Sequence, residues 1–256
     1  MKKFLLGAAG LIAAMSMTAP ASAADLAARP YTKAPAMIPA LYDWSGFYIG
    51  LNGGGGSAHK CWDLSNVAGA LVGPAFREGC HDATGGFAGG QLGYRWQSAA
   101  WVFGIEAQGD WASLKGSNAS AFPFGIGVTN QSKINAFGLF TGQVGYAWNN
   151  VLWYVKGGAA VVDDRYTGFV TATNAALDNA TDTRWGGTVG TGVEISFAPN
   201  WSVAFEYDHL FMGNRTLNFN STITGAFTRT ESIKQDVDIG AVRVNYRWGG
   251  PVIAKY

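Results

Sequence analysis

The sequence predicts an all-β fold, namely an eight-stranded antiparallel up-and-down transmembrane β-barrel. Three observations predict it: aromatic residues flank short polar turns, apolar residues recur at every second position, and short connections alternate with long ones. Indole rings settle at a membrane interface because one edge is apolar while the N–H needs a polar partner. The aromatic residues predicted to form a girdle at the periplasmic rim are Trp44, Trp96, Trp101, Trp148, Trp153, Phe197, Trp201 and Trp248.

The composition agrees with a membrane barrel. Hydrophobic residues make up 48% of the chain and charged residues only 14%, whereas soluble domains carry about 25% charged residues. After the first residues, no stretch approaches the ~20 continuous apolar residues of a transmembrane helix. With 18 basic and 17 acidic residues, the chain lacks the clustered positive charge that nucleic-acid binding needs.

The N-terminus is typical of an exported protein. Two lysines precede an apolar run, and Ala21-Ser22-Ala23 supplies a small-x-small cleavage site, so residues 1–23 are predicted to be a signal peptide. Residues 24–43 are rich in Pro and Ala and are expected to form a periplasmic lead-in. The barrel is assigned to residues 44–248, and a short C-terminal extension to 249–256.

The first four strands are predicted at 44–53, 87–96, 101–110 and 134–148. Glycine dilutes the alternation in 87–96, although Leu92 and Tyr94 still contrast with Gln91 and Arg95. In 101–110, apolar residues at odd positions alternate with Glu106, Gln108 and Asp110 at even positions. Such a period of two is the signal of a strand with one apolar face.

The last four strands are predicted at 153–163, 185–197, 201–208 and 241–248. In 153–163, Trp153 and Val155 are assigned outward while Tyr154 and Lys156 point inward. The other three repeat this alternation, and 241–248 shows it most clearly. Each predicted strand is close to the ~9–11 residues that a tilted strand needs to cross the bilayer.

The connections predict how the barrel is oriented. Short turns are expected at 97–100, 149–150 and 199–200, while 54–86, 112–133, 164–184 and 213–235 are predicted to be long extracellular loops. Short periplasmic turns and long outer loops are the asymmetry of outer-membrane barrels. An even number of strands then places both termini in the periplasm.

Charged residues alternate with the apolar ones and are therefore predicted to line the lumen. They are Arg95, Glu106, Asp110, Lys156, Glu194, Glu206, Asp208, Arg243 and Arg247. An eight-stranded barrel is only wide enough for its own side chains, and buried ions must pair. A rigid polar plug is the favoured interpretation, a narrow water or ion path is the alternative, and catalysis by paired carboxylates has no room for a substrate.

Cys61 and Cys80 lie in one predicted loop of an exported chain. An oxidising compartment favours a disulfide between them. The neighbouring His59 and His81 leave a His/Cys metal cluster as an alternative. Because free thiols persist poorly outside the cytoplasm, the disulfide is preferred and no metal is expected.

Two further patterns bear on possible catalysis or nucleotide binding. His209, beside Asp208, is the best single candidate for catalysis, but outer-membrane lipid A esterases carry a serine two residues after their histidine. This chain has Phe211 there, so no nucleophile follows. The glycine runs at 53–56 and 186–192 lie in or beside strands without a following helix, which argues against nucleotide binding. No catalytic residue and no cofactor is therefore expected.

Three stretches resemble the outer-membrane immunogenic protein family of alphaproteobacteria, the RopB-like group within the OmpA-like eight-stranded barrels. They are Ala21–Leu26, Trp44–Gly50 and Val244–Trp248. The resemblance implies a non-enzymatic surface antigen that supports the envelope and contacts lipopolysaccharide, and some members are reported to bind haemin. It also implies outer-membrane lipids and the barrel-assembly machinery as partners, with a monomer expected. Either Trp248 or Tyr256 could supply the terminal aromatic that the assembly machinery reads.

Overall fold

The computed structural model describes residues 42–124 and 126–248. The predicted signal peptide, all but the last two residues of the lead-in, and the extension at 249–256 lie outside the described residues. Within them, no helix is long and apolar enough to cross a membrane.

Eight antiparallel strands form a closed ring in chain order, with β8 pairing back onto β1. This confirms the predicted fold class. The strands are β1 Gly46–Val67, β2 Ala70–Ser98, β3 Trp101–Ala119, β4 Val128–Trp148, β5 Val151–Val170, β6 Ala175–Ala198, β7 Trp201–Ser221 and β8 Phe227–Arg247. Closure removes the unpaired strand edges that an open sheet would expose.

One end of the ring, here called the terminal end, carries Trp44, Trp248 and three two-residue turns. The turns at 149–150 and 199–200 lie as the sequence predicts, and the first turn is confined to 99–100 within the predicted 97–100. Ala99 and Asn149 have φ of 54° and 56°, in the left-handed region that tight strand-to-strand turns require. The other end is called the distal end.

The four predicted long loops are wrong, because the strands continue through most of them. The distal connections shrink to 68–69, 120–127, 171–174 and 222–226. The polar, glycine-rich composition of these segments belongs to the distal halves of the strands, whose outer faces are polar. Such strands need polar residues outside, so their sequence has the composition of a loop although their backbone is paired.

The outer surface is apolar near the terminal end and polar near the distal end. On β1, exposed Phe47, Ile49 and Leu51 give way to exposed His59. Trp111 on β3 and Trp185 on β6, 79% and 60% exposed, mark the distal edge of this apolar belt, as an aromatic girdle does. The part of the ring beyond these two residues is called the distal barrel.

The interior is filled in layers. Trp44, Val102 and Leu152 close the terminal mouth, and a charged layer follows. An apolar layer lies beyond the charges, and its members are Ala58, Ala83, Phe87, Leu114, Ile134, Phe137, Leu139, Ala160, Val162, Leu210, Met212, Val237, Ile239 and Ala241. A second set of buried charges and aromatic rings fills the distal barrel.

Candidate functional site: the charged interior

The charged layer is centred on Arg243 of β8. Its guanidinium donates to Glu106 on β3 and to Glu206 on β7. Lys156 Nζ lies 2.7 Å from Glu206 Oε1, 3.5 Å from Glu106 Oε1 and 3.4 Å from Asp208 Oδ1. All five side chains are nearly inaccessible to solvent. Two bases thus tie together three acids from opposite walls of the ring.

A second buried pair lies beside the first. Arg95 Nη2 donates to Glu194 Oε2 at 2.8 Å, and Asn245 Nδ2 donates to Glu194 Oε1 at 3.1 Å. The Arg95 guanidinium carbon lies 4.4 Å from the Tyr48 ring centroid and 5.7 Å from that of Tyr154. A delocalised guanidinium suits such stacking in a dry interior.

Two tyrosines support the glutamates from opposite sides of the lumen. The hydroxyls of Tyr48 and Tyr154 donate to Glu106 Oε2 and Glu206 Oε2, each at 2.6 Å. Each ring lies over a glycine: a Cβ added at Gly93 would lie 2.5 Å from Tyr48, and one added at Gly192 would lie 2.6 Å from Tyr154. Glycine is required at both positions because a Cβ would displace the ring from its carboxylate.

The structure places all nine predicted lumen residues inside the ring, but two of them have no ionic partner among residues 42–124 and 126–248. Asp110 Oδ2 accepts a hydrogen bond from Gln108 Nε2 at 2.8 Å. Arg247 donates to the Ser45 carbonyl at 2.9 Å, and its guanidinium lies 4.8 Å from the Tyr42 ring. The expectation that Arg247 pairs with an acid is therefore wrong, because it sits at the terminal mouth where backbone carbonyls face it.

The predicted place of Trp44 in the exposed girdle is also wrong. Its side chain is 1% exposed and closes the terminal mouth from inside. Its backbone N–H donates to Gln97 Oε1 at 2.7 Å, and its Nε1 donates to the Asn149 carbonyl at 3.0 Å. Trp44 precedes β1, so strand alternation does not fix its direction.

The other predicted girdle residues lie on the outer surface at the terminal end. Their side chains are between 44% and 63% exposed. They are Trp96, Trp101, Trp148, Trp153, Phe197, Trp201 and Trp248. Several are in contact across strands, as where the Trp101 and Tyr146 ring centroids lie 5.5 Å apart.

The distal barrel holds a charged cluster that the sequence analysis missed. Arg229 contacts Glu78 at 3.1 Å, Asp178 at 3.0 Å and Glu231 at 3.0 Å, and Asn130 also contacts this cluster. Burial raises the pKa of Glu231 to about 9, against the lowering effect of Arg229, and the nearby Glu78 and Asp178 raise it further. A neutral Glu231 leaves two carboxylates around one guanidinium.

A second distal group lies nearby. Lys60 Nζ is 2.6 Å from Asp164 Oδ1, and Arg184 Nε is 3.4 Å from Asp164 Oδ2. Burial lowers the pKa of Lys60, although Asp164 opposes this shift. The sequence contains a signal that the strands continue into the distal barrel. On β8, Glu231, Ile233 and Gln235 extend the inward period-two pattern to positions before the predicted strand start at 241.

Cys61 and Cys80 are joined by a disulfide, which confirms the predicted bond. The two cysteines are directly paired residues of β1 and β2, rather than distant points of a loop. His59 Nε2 lies 3.5 Å from Cys61 Sγ while its Nδ1 lies 2.7 Å from Asp82 Oδ1. His59 and the two sulfurs come within 4.8 Å of one another, but sulfurs bonded to each other are not available as thiolate ligands.

His81 and His209 lie in different settings. His81 is buried, and its ring nitrogens contact Asn118 at 2.7 Å and Ser132 at 3.0 Å. Burial lowers its pKa. His209 contacts Asp238 across the β7–β8 pair at 2.7 Å, whereas its sequence neighbour Asp208 points into the lumen.

A closed ring of antiparallel strands, with an apolar belt outside and charged residues inside, defines an outer-membrane β-barrel protein. Residues 9–247 match the family model of the outer membrane protein beta-barrel domain, and the chain belongs to this family.

Named relatives agree with this assignment. The chain is 32% identical over 220 residues to the 31 kDa outer-membrane immunogenic protein of Brucella melitensis, covering 80% of this chain and 86% of that protein. It is 30% identical over 191 residues to the 22 kDa outer membrane protein of Rhizobium leguminosarum, covering 73% and 71%.

Solved structures with a related shape include the outer membrane protease OmpT of Escherichia coli. The TM-score is 0.49 at 8% identity, covering 79% of this chain and 97% of that one. The outer membrane protein OprG of Pseudomonas aeruginosa gives 0.46 at 10% identity, covering 80% and 97%.

Proposed function

We propose that the protein is a sealed, non-enzymatic barrel that supports the integrity of the outer membrane. In this proposal the terminal end faces the periplasm and the distal barrel stands outside the cell. The observation that carries the proposal is the filled interior, in which a charged layer and an apolar layer lie in series.

The apolar layer is the stronger obstacle to ions. Phe87 and Phe137 pack with ring centroids 5.1 Å apart, and Leu139, Leu210 and Ile239 are at most 1% exposed. An ion crossing this layer would lose its hydration and meet no polar ligand, which is how hydrophobic constrictions block conduction. The charged layer below it is held together by ion pairs at its centre.

The narrow-pore alternative therefore has less support than the sealed barrel. Arg247 lies at the terminal mouth and the other charged residues that suggested a water path lie in the charged layer, so the apolar layer separates all of them from the charges of the distal barrel. Opening such a path would require separating Arg243 from its glutamates and also displacing the apolar layer. Each step leaves buried groups without partners.

A surface role of the distal barrel completes the proposal. Its hairpins would contact lipopolysaccharide and serve as the exposed antigenic surface, as the family resemblance implies. The haemin alternative gains no support from the histidines. His59, His81 and His209 all lie on strands, away from the distal connections that would meet an external ligand first.

Single-channel recording of the purified full chain in planar bilayers tests the sealed lumen. We expect no unitary current, with a general porin inserted under the same conditions as the positive control. As a matched variant, Phe137→Ser with Leu139→Ser should create conductance by making the apolar layer polar. Regular current steps from the unaltered protein would overturn the proposal.

Orientation needs a separate measurement. A cysteine at Asn174, in a distal connection, should react with a membrane-impermeant maleimide on intact cells. A cysteine at Asn150, in a turn of the terminal end, should react only after the outer membrane is opened. The reverse pattern would show that the distal barrel faces the periplasm.

A further inference from the structure

We propose that three cations on the outer face of adjacent strands bind the phosphate groups of a membrane lipid. Lys115 of β3, Lys133 of β4 and Arg165 of β5 are called the cation row. The inference rests on the orientation given under the proposed function, which makes the surrounding leaflet the outer one and the lipid a phosphorylated glycolipid.

The strand register brings the three residues together. Lys115 is paired directly with Lys133, and Lys133 directly with Arg165. Their sequence neighbours Leu114, Ile134 and Asp164 are buried in the lumen, so all three side chains of the row project outward. Side chains at directly paired positions have Cβ atoms about 4.5–5.5 Å apart, which places three positive groups within reach of one headgroup.

The row carries positive charge that the chain does not balance. Among the described residues, every other lysine and arginine except Arg247 lies within 4.0 Å of a carboxylate oxygen. Even the exposed Arg77 and Lys234 have partners, at 2.6 and 3.9 Å. Like charges in direct opposition destabilise a sheet, so a bound anion would relieve a repulsion already present in the fold.

One carboxylate shares the outer face of β3, β4 and β5 within the described range. Asp163 lies two residues before Arg165, and its Oδ2 accepts a hydrogen bond from Asn135 Nδ2 at 3.2 Å. It forms no ion pair with the row. The local charge therefore stays positive.

The position of the row favours a lipid headgroup over a dissolved anion. On the outer face of β3, Trp111 is followed by Ser113 and then by Lys115. Trp111 belongs to the distal aromatic edge, as does Trp185, whose ring stacks on Phe140 with centroids 6.2 Å apart. Aromatic belts lie at the depth of the headgroups, so the cations stand where lipid phosphates are concentrated. A lipid could place its acyl chains on the aromatic rings and its phosphates on the row.

The far side of the ring has the opposite character. Asp236 and Asp238 project outward from β8, with His209 as a neighbour of Asp238. The outward-facing Asp82 lies on β2, next to β3, and contacts His59 at 2.7 Å. An anionic lipid would therefore prefer the side formed by β3, β4 and β5. Arg165 can hold a phosphate through two parallel N–H bonds, while the two lysines act as point charges.

Native mass spectrometry of the full chain in phosphatidylcholine nanodiscs tests the proposal. The probes are bis-phosphorylated lipid A and the same lipid with both phosphates removed. The variant Lys115→Gln/Lys133→Gln/Arg165→Gln is compared with Arg77→Gln/Arg215→Gln/Lys234→Gln, which removes three exposed cations elsewhere. We expect the unaltered protein to bind the phosphorylated lipid, the first variant to lose about tenfold or more in affinity, and the second to retain binding.

Three results would overturn the inference. The first is a lack of specificity in the lipid comparison, meaning that the two lipids bind equally or that the first variant binds as the unaltered protein does. The second is competition by inorganic phosphate at concentrations comparable to lipid A, which would indicate a site for free anions. The third is a dimer in lipid-free detergent that the first variant abolishes, which would seat the row on the acidic side of a second copy.

Folding is checked by heat-dependent mobility in gels. If the triple variant does not fold, the pair Lys133→Gln and Lys133→Arg replaces it, with binding weakened by the first and kept by the second. A failure of the sealed-barrel proposal would appear as conductance, and a wrong orientation as reversed labelling. Neither changes binding in nanodiscs, so the two proposals fail separately.

Discussion

Glu106 and Glu206 lie on opposite walls of the barrel and share the guanidinium of Arg243. Each glutamate also accepts a hydrogen bond at 2.6 Å from a tyrosine. The ring of each tyrosine covers a glycine on the strand that separates the tyrosine from its glutamate. The two halves of the charged layer thus repeat one arrangement, with Arg243 as the main joint and Lys156 as a second bridge between the two glutamates. Removing the joint leaves both acids buried without their main counter-charge.

We expect Arg243→Leu to destabilise the barrel strongly. Removing one partner of a buried ion pair costs about 3–5 kcal/mol, because the remaining charge has no solvent. The measurement is the midpoint of urea unfolding in detergent, followed by tryptophan fluorescence. Arg77→Leu is the control, since its pair with Asp63 lies on the surface and should leave the midpoint unchanged. Equal midpoints for the two variants would contradict the central role of Arg243.

Gly192→Ala should destabilise the barrel by about 1–3 kcal/mol, the usual cost of overpacking a filled interior. The added methyl would press on the Tyr154 ring and move its hydroxyl away from Glu206. Gly109→Ala is the matched control, because nothing lies within 4 Å of a Cβ built there. The same unfolding assay applies. A Gly192→Ala protein as stable as the control would show that the interior accommodates the added methyl group without loss of stability.

Glu231 predicts a pH dependence of stability. Its pKa in the folded protein is about 9, above the value near 4.3 of an exposed glutamate. The folded state therefore holds a proton that the unfolded chain releases, so stability should fall as the pH rises from about 4.3 towards 9. Glu231→Gln, which mimics the neutral acid, should flatten this fall and be the more stable protein at the alkaline end. Parallel curves for the two proteins would contradict a protonated Glu231.

The disulfide should stabilise the distal β1–β2 hairpin rather than the whole barrel. The cross-link joins cysteines 19 residues apart, and closing a loop of that size is worth roughly 3 kcal/mol in the chain-entropy model. The flanking strands, however, are already paired on both sides. We expect Cys61→Ser/Cys80→Ser to fold with unchanged gel mobility and to become more sensitive to protease near residues 68–69. Global loss of folding would show that the bond is needed for the ring itself.

Sequence periodicity predicted the barrel because alternation is a local property. Within a strand, each side chain faces the lumen or the outside according to its position alone, so Glu106, Glu206 and Arg243 could all be assigned inward. The turns that contain Ala99 and Asn149 could also be predicted, because a tight turn appears in the sequence as a short polar break between aromatic residues. The distal halves of the strands were missed because their outer faces are polar, so the contrast between faces reverses where the apolar layer lies inside.

What the sequence by itself determined is the number of strands, the face of the residues within the eight predicted segments except Trp44, and the disulfide. Only the tertiary structure decided that Trp44 plugs the terminal mouth, that Arg247 binds carbonyls, and that an apolar layer divides the lumen. It also placed Lys115, Lys133 and Arg165 side by side. The physical reason is that these contacts join residues far apart in the chain, and they form only when neighbouring strands have the correct shift along one another. That shift is set by the register at which the ring closes.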